Sequence, residues 1–326
     1  MKKGWLLFLL ITGLTLATGS TPWHEVWEGM VARWEGNAAW NPLLDERLPR
    51  LIVLLCSGAS LAVAGAAMQA LFHNPLASPN VLGISLGGSL LVLIVFITDA
   101  HLAYPALIPA SAFFGSFLCL LLVYTIAKSA GEVQLHHLLL TGIALSTVFL
   151  AIEGTLLYLL RDQSQLIQLV TEWEAGSSAH RTWQHVHMQL PLTLVGLWGC
   201  WYYRSTLNLL SLGDEEALNL GVDVKKVRWL LFLSVALLTG GTLAALGGVP
   251  FFGLIIPHLI RQVKGPDNTL LLPLAAICGA LTLSSIDLTL RLTGMTALSI
   301  GNLSALFGGL FFLYLLIKPQ RQWVKT

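Results

Sequence analysis

The sequence predicts an all-α fold, a polytopic membrane bundle of about ten transmembrane helices. Apolar residues make up 55% of the chain and charged residues 11%, against about 45–50% and 25% in soluble domains. The apolar residues are gathered into ten runs joined by short polar connections, as spans of about 20 residues require. No polar stretch is long enough for a soluble domain, so we expect a single transmembrane domain over residues 1–326.

The ten runs differ in how well each suits a span. In order they are 5–19, 51–72, 81–98, 103–127, 138–160, 188–203, 228–247, 249–263, 270–290 and 298–317. The first also resembles a signal peptide, with Lys2 and Lys3 before it and small residues near Gly19, but we favour a retained span that acts as its own insertion signal. The eighth has 15 residues and contains Pro257, so we expect a short or broken helix shielded by its neighbours.

The distribution of basic residues predicts the orientation. With ten spans, one side of the membrane holds twelve Lys and Arg residues and the other six, which favours cytoplasmic N- and C-termini. Residues 204–227 are then cytoplasmic, whereas 20–46 and 161–187 lie outside and carry several Trp residues suited to the membrane interface. The net charge of +1 gives no indication of a nucleic-acid partner.

Motifs for catalysis or metal binding are missing from the sequence. There is no G-x-x-x-x-G-K-[ST] loop for ATP, no Ser-His-Asp set and no H-E-x-x-H or C-x-x-C motif. The four cysteines lie within apolar runs, and the histidines at 180, 185 and 187 lack completing ligands. We therefore predict neither an enzyme nor a bound cofactor or metal.

Two acids fall inside predicted spans, where ionisable residues are functional candidates by default. Asp287 stands four residues before Arg291, so an i,i+4 ion pair is a sufficient explanation for it. Glu153 has no local partner and lies near the outer end of its span. It is the better candidate for a role in transport.

Two local patterns have a structural and a functional interpretation. Small residues recur every four positions, as at Gly58, Ala62 and Ala66, which suits either tight packing or a path between helices. Residues 212–221 begin with acids and end at Gly221. This pattern predicts a short helix, either a connector or a knob presented to a soluble partner.

Several longer motifs resemble the permease family of ABC importers for iron–siderophores, haem and cobalamin. They are Arg47-Leu48-Pro49-Arg50, residues 68–79 (MQALFHNPLASP), residues 82–85 (LGIS), residues 212–217 (LGDEEA) with Leu220-Gly221, and residues 252–261 (FGLIIPHLIR). They occur in the family's order. The chain departs from the family at 297–301 (ALSIG), where Glu-Leu-Pro is common, and near Leu310, where a proline is usual.

The resemblance implies a permease of the bacterial inner membrane that works as one of two permease chains, identical or paralogous. Its partners would be cytoplasmic ABC ATPase subunits and an outer substrate-binding protein. It also implies three groups of site residues: Gly213, Asp214, Glu215, Leu220 and Gly221 for ATPase coupling; Arg47, Arg50 and Arg291 for binding-protein docking; and Leu135 and His136 for the inner gate.

Two other classes were weighed against an ATP-driven importer. An ion-coupled secondary transporter predicts paired repeats with ionisable or unwound sites near the midplane, and the sequence carries no such repeat. A membrane-embedded enzyme or receptor predicts a clustered polar site or a soluble domain, and neither is visible.

Overall fold

The computed structural model describes residues 2–19, 21–36, 40–129, 135–295 and 298–317. All regular structure in these ranges is helical. The helices are α1 (Lys2–Ala17), α2 (Trp23–Trp34), α3 (Leu48–Leu71), α4 (Ile84–Ile97), α5 (Ala100–Ala103), α6 (Leu107–Ser129), α7 (Leu135–Leu159), α8 (Ser164–Glu174), α9 (Trp183–Tyr202), α10 (Arg204–Leu210), α11 (Asp214–Asn219), α12 (Val224–Leu246), α13 (Phe252–Lys264), α14 (Asn268–Leu292) and α15 (Ile300–Ile317). A π-helical turn, Pro42–Arg47, precedes α3, and a 3₁₀ turn, Pro79–Leu82, precedes α4.

Each predicted span coincides with one helix. The ten are α1, α3, α4, α6, α7, α9, α12, α13, α14 and α15. By length and composition, five of the described helices can cross a membrane: α3 with its π-helical turn, α6, α7, α12 and α14. The prediction of a short eighth helix is confirmed, because α13 has 13 residues and remains one helix through Pro257.

Helix α3 lies at the centre of the bundle, packed against α9, α12, α13 and α14. It meets α14 at Gly58 and Gly279, where a Cβ atom on either glycine would overlap the carbonyl oxygen of the other. It meets α13 at Gly65, beside the Gly253 carbonyl. Pro257 lacks the N–H that would bond that carbonyl within α13. The small residues of α3 thus allow backbone contact with two neighbours.

Polar contacts gather the loops into two ends of the bundle. At the first, the outer end, Trp183 Nε1 donates to the Leu44 carbonyl at 2.9 Å, which joins the two predicted outer segments. At the second, the inner end, His73 Nε2 lies 2.5 Å from the Leu210 carbonyl oxygen. The Asn208 amide donates to Asp267 at 2.7 Å in the same region. These pairings agree with the predicted alternation of the spans.

Candidate functional site

A cavity of about 310 Å³ lies between α4, α7, α8 and α12. The segment from Gly247 to Phe251, which joins α12 to α13, completes its wall. The lining is chiefly apolar and small, with hydroxyl groups from Thr239 and Thr242 on α12. Such a cavity has the size and surface of a small-molecule site.

Two carboxyl groups and the Ser89 hydroxyl form a hydrogen-bonded cluster in the wall. Ser89 Oγ on α4 lies 2.8 Å from Glu153 Oε1 on α7 and 2.6 Å from Glu174 Oε1 on α8. The single hydroxyl hydrogen of Ser89 is therefore shared between two acceptors. Among the described residues, those that line the cavity include no Lys, Arg or His. Glu153 and Glu174, the acid pair, thus give the wall hydrogen-bonding carboxyl groups and no basic side chain among its described residues.

The sequence indicated only one member of the acid pair. Glu153 stood out because it is an acid within an apolar run, and it is one of three buried residues on α7, with Leu138 and Gly142. Glu174 and Ser89 did not stand out, because a glutamate in a polar loop and a serine in a span are both ordinary. Only the packing of α7 and α8 against α4 brings the three together.

The three arginines predicted for docking lie together at the outer end, around Asp287. Asp287 is fully buried and accepts hydrogen bonds from Arg50 Nη2 at 2.6 Å and Arg291 Nε at 3.0 Å. The Ser178 hydroxyl donates to the same carboxylate. The predicted Asp287–Arg291 pair is confirmed, and Arg50, from α3, is a partner that local spacing did not reveal.

Two of these arginines also bond the last carbonyls of α1. Arg47 Nη1 donates to Leu16 and Ala17 at 3.1 and 3.2 Å, and Arg291 Nη1 donates to Thr18 at 2.8 Å. Cations at a helix C-terminus satisfy unpaired carbonyls and oppose the negative end of its dipole. Arg47 is 4% exposed. The guanidinium groups are therefore engaged within the chain, and their docking role stays a prediction.

The outer end also gathers a fourth arginine, Arg181, which donates from Nη2 to the Ser177 carbonyl at 2.7 Å. Burial, with a smaller contribution from the charge of Arg50, lowers the pKa of Arg181 to about 10. Positive charge is thus concentrated near Asp287.

At the inner end, residues 212–221, which we call the coupling segment, form the predicted short helix, α11. The Gly221 N–H bonds Leu218 and the Val222 N–H bonds Ala217, with Gly221 at φ 84°. This is a glycine stop of the Schellman type. Three leucines near it are exposed, Leu212, Leu218 and Leu220. All three lie outside the predicted apolar runs, and their role in ATPase contact stays a prediction.

The predicted gate residues begin a helix. Leu135 and His136 form the first turn of α7, and the His136 and His137 rings are 4.3 Å apart. Residues 130–134 lie outside the described part of the chain. The gate stays a prediction.

The departure from the family pattern leaves the last span helical. Ser299 Oγ accepts a hydrogen bond from the Asn302 N–H at 3.2 Å, beside the first residue of α15. Gly301 lies against the carbonyls of Gly248 and Ala175, where a Cβ atom would overlap both. Ala297 lies outside the described residues.

In the described part of the chain, five helices long and apolar enough to cross a membrane, a cavity between helices and the exposed leucines around α11 fit a membrane permease. The chain belongs to the FecCD transport family, whose model matches residues 5–318. It is 37% identical to the hemin transport system permease protein HmuU of Yersinia pestis, over 97% of this chain and 96% of that one. It is 37% identical to the vitamin B12 import system permease protein BtuC of Vibrio cholerae, over 96% and 92%.

A third relative and a solved structure agree. The Fe(3+) dicitrate transport system permease protein FecD of Escherichia coli is 36% identical, over 90% of this chain and 91% of that one. A structure described as an inward-facing conformation of a metal-chelate type ABC transporter is similar, with a TM-score of 0.83 and 28% identity, covering 97% of this chain and 98% of that chain.

Family membership decides the class. The chain is a transmembrane permease subunit of an ABC importer in the bacterial inner membrane, and the ATPase is a separate subunit. The family works with ATPase subunits, a substrate-binding protein and a second permease chain. The ion-coupled secondary transporter is therefore set aside.

Proposed function

We propose that this permease carries an iron chelate, haem or a cobalamin-like nutrient, and that the 310 Å³ cavity is part of the path. The cavity is the observation that carries the proposal, because four helices and the α12–α13 segment contribute to its wall and its lining is mainly apolar. A second permease chain would extend the path beside it. The names of the relatives, which include haem, vitamin B12 and ferric dicitrate permeases, support this class of cargo.

A side chain that narrows the cavity tests this path. Leu150 and Leu159 are both exposed on α7, but only Leu150 lines the cavity. Leu150→Trp should therefore reduce uptake of the cargo, whereas Leu159→Trp, a matched control, should leave it unchanged. Uptake of radiolabelled ferric chelate, haem and cobalamin in cells deleted for their own permeases measures the effect. Equal uptake by both variants would exclude the cavity from the path.

The charge of the lining refines the cargo. Glu153 and Glu174 present carboxylates without a basic neighbour in the described cavity wall, so the cavity favours chelates with amine or other hydrogen-bond-donating groups over polycarboxylates. Replacing both with Gln should reduce uptake of an amine-bearing ferric trihydroxamate relative to ferric dicitrate. Glu172→Gln, an exposed change on the same helix α8, serves as the control. An unchanged ratio of the two uptakes would refute the charge preference.

For the inner end, we propose that Gly213, Asp214, Glu215, Leu220 and Gly221 contact the ATPase. The exposed leucines Leu212, Leu218 and Leu220 support this proposal. The first turn of α7, with Leu135 and His136, is the proposed inner gate.

For the outer end, we propose that the binding protein docks on the surface that holds Arg47, Arg50 and Arg291. A direct contact with Arg47 requires this side chain to leave the carbonyls of α1, to which it donates. Arg50 and Arg291 would likewise have to bond the partner's carboxylates in addition to Asp287. Arg47 and Arg291 both bond carbonyls at the C-terminal end of α1. Docking through either side chain would therefore depend on the position of α1.

A further inference from the structure

An ion pair joins the coupling segment to the helix that follows it. Arg228 lies in the second turn of α12, 5% exposed, and its Nη2 donates to Asp214 Oδ1 at 2.5 Å. Asp214 is the first residue of α11. Arg228 Nε has no hydrogen-bond partner among the described residues. Burying a guanidinium group without a carboxylate partner costs free energy. This cost favours the position of Asp214 beside Arg228.

The pair adds a second connection between α11 and α12. The first is the chain itself, the four residues 220–223, which include Gly221 at φ 84°. So short a loop with a glycine allows α11 to change its angle to α12. The ion pair, at the opposite end of α11, opposes that rotation. Together the two connections make α11 move with α12.

Helix α12 leads from this pair to the cavity. It has 23 residues, about 34 Å of helix, and it is buried along most of its length. Near its far end Thr239, Thr242 and Leu243 line the cavity, and the next residues, from Gly247, continue the wall. A displacement of its first turns is therefore transmitted to the cavity by a single packed helix.

We propose that the Asp214–Arg228 pair transmits movement of the ATPase from the coupling segment to α12 and the cavity wall. The inference rests on the proposed contact between the coupling segment and the ATPase. Both are positioning residues, because neither touches the cargo. The Asn208 contacts with Asp267 and Asn268 tie α10 to α14 instead, so they do not substitute for the pair.

The test compares ATP hydrolysis with uptake in the complete importer reconstituted in liposomes. The variants are Asp214→Asn, Arg228→Gln and the double substitution. Lys226→Gln, which removes an exposed cation half a turn from Arg228, is the matched control. We expect Arg228→Gln to lower the cargo transported per ATP by about tenfold, within the usual range of coupling between sites, with assembly and hydrolysis retained. Asp214→Asn, which changes a residue proposed to contact the ATPase, should lower this ratio by a similar factor. The double variant should be no worse than either single one.

The proposal is overturned if the ratio of uptake to hydrolysis is unchanged in the single variants. It is also overturned if the double variant shows the product of the two single effects. If Arg228→Gln does not fold, the half-exposed Asp214 gives the same test through Asp214→Asn. If the unmodified complex hydrolyses ATP without any chelate-specific uptake, the proposed function fails rather than the role of the pair.

Discussion

Asp287 shows how a single buried residue organises the outer end. Its carboxylate is 0% exposed and holds side chains from α3 and α14, together with Ser178 before α9. Two arginines share one acid, so loss of the acid leaves two partly buried cations facing each other. The network therefore stabilises the fold only as a complete set.

The first prediction concerns this acid. Asp287→Asn should destabilise the protein by about 3–5 kcal/mol, the usual cost of unpairing a buried charge. Thermal unfolding in detergent measures it, and Asp162→Asn, in an exposed turn, is the control. An unfolding midpoint within the error of the unmodified protein would show that the arginines find other partners.

The second prediction separates anchoring from docking at Arg47. Arg47→Gln removes the hydrogen bonds to Leu16 and Ala17 and should cost about 1–3 kcal/mol, because partly buried hydrogen bonds from a charged donor are lost. Stability in detergent and affinity for the binding protein are measured on the same preparation. We expect both to fall, and more weakly for Arg33→Gln, whose side chain pairs with Asp45 at the surface.

A loss of affinity with unchanged stability would contradict the anchoring of α1 by Arg47. It would assign the side chain to docking alone.

At the scale of the helix, backbone contact sets what the glycines tolerate. Gly58 on α3 and Gly279 on α14 each occupy the space that a Cβ atom of the other would need. We predict that Gly58→Ala destabilises the protein by about 1–3 kcal/mol through overpacking. Gly154→Ala on α7, where the space for a Cβ is open, should be neutral or mildly stabilising because alanine favours helix. The unfolding midpoints of the two variants are compared in detergent. Equal midpoints would contradict the close backbone contact between α3 and α14 at Gly58.

The coupling segment offers a further prediction at this scale. Gly221 has open space around it but a positive φ of 84°, so Gly221→Val fails for conformational rather than packing reasons. We expect normal membrane insertion, a displaced α11 and hydrolysis poorly coupled to uptake. Normal transport by this variant would reduce the segment to a connector. Asparagine tolerates a left-handed backbone better than valine, so Gly221→Asn should retain more coupling than Gly221→Val.

The elements were more predictable than the contacts between them. Hydropathy locates the ten helices because a bilayer demands apolar spans of a fixed length, and the acids before Gly221 located α11. The partners of Glu153, Arg47 and Arg228 could not be predicted, because each lies in a different helix or beyond a turn. The sequence shows which residues are unusual for their place, and packing decides what they meet.

At the scale of the whole molecule, import would use three regions together: the inner end, the cavity and the outer end. The coupling segment at the inner end is joined through Arg228 to α12, and α12 reaches the wall that carries the acid pair. The outer end, with its arginines around Asp287, is the proposed docking surface for the binding protein.

The most direct test of this account is uptake by liposomes that contain the chain with or without its ATPase subunits, with binding protein and cargo outside. The account predicts cargo accumulation only when the ATPase is present and ATP is inside, and no hydrolysis by the permease alone. Accumulation driven by a proton or sodium gradient in the absence of the ATPase, or ATP hydrolysis by the purified chain, would contradict it.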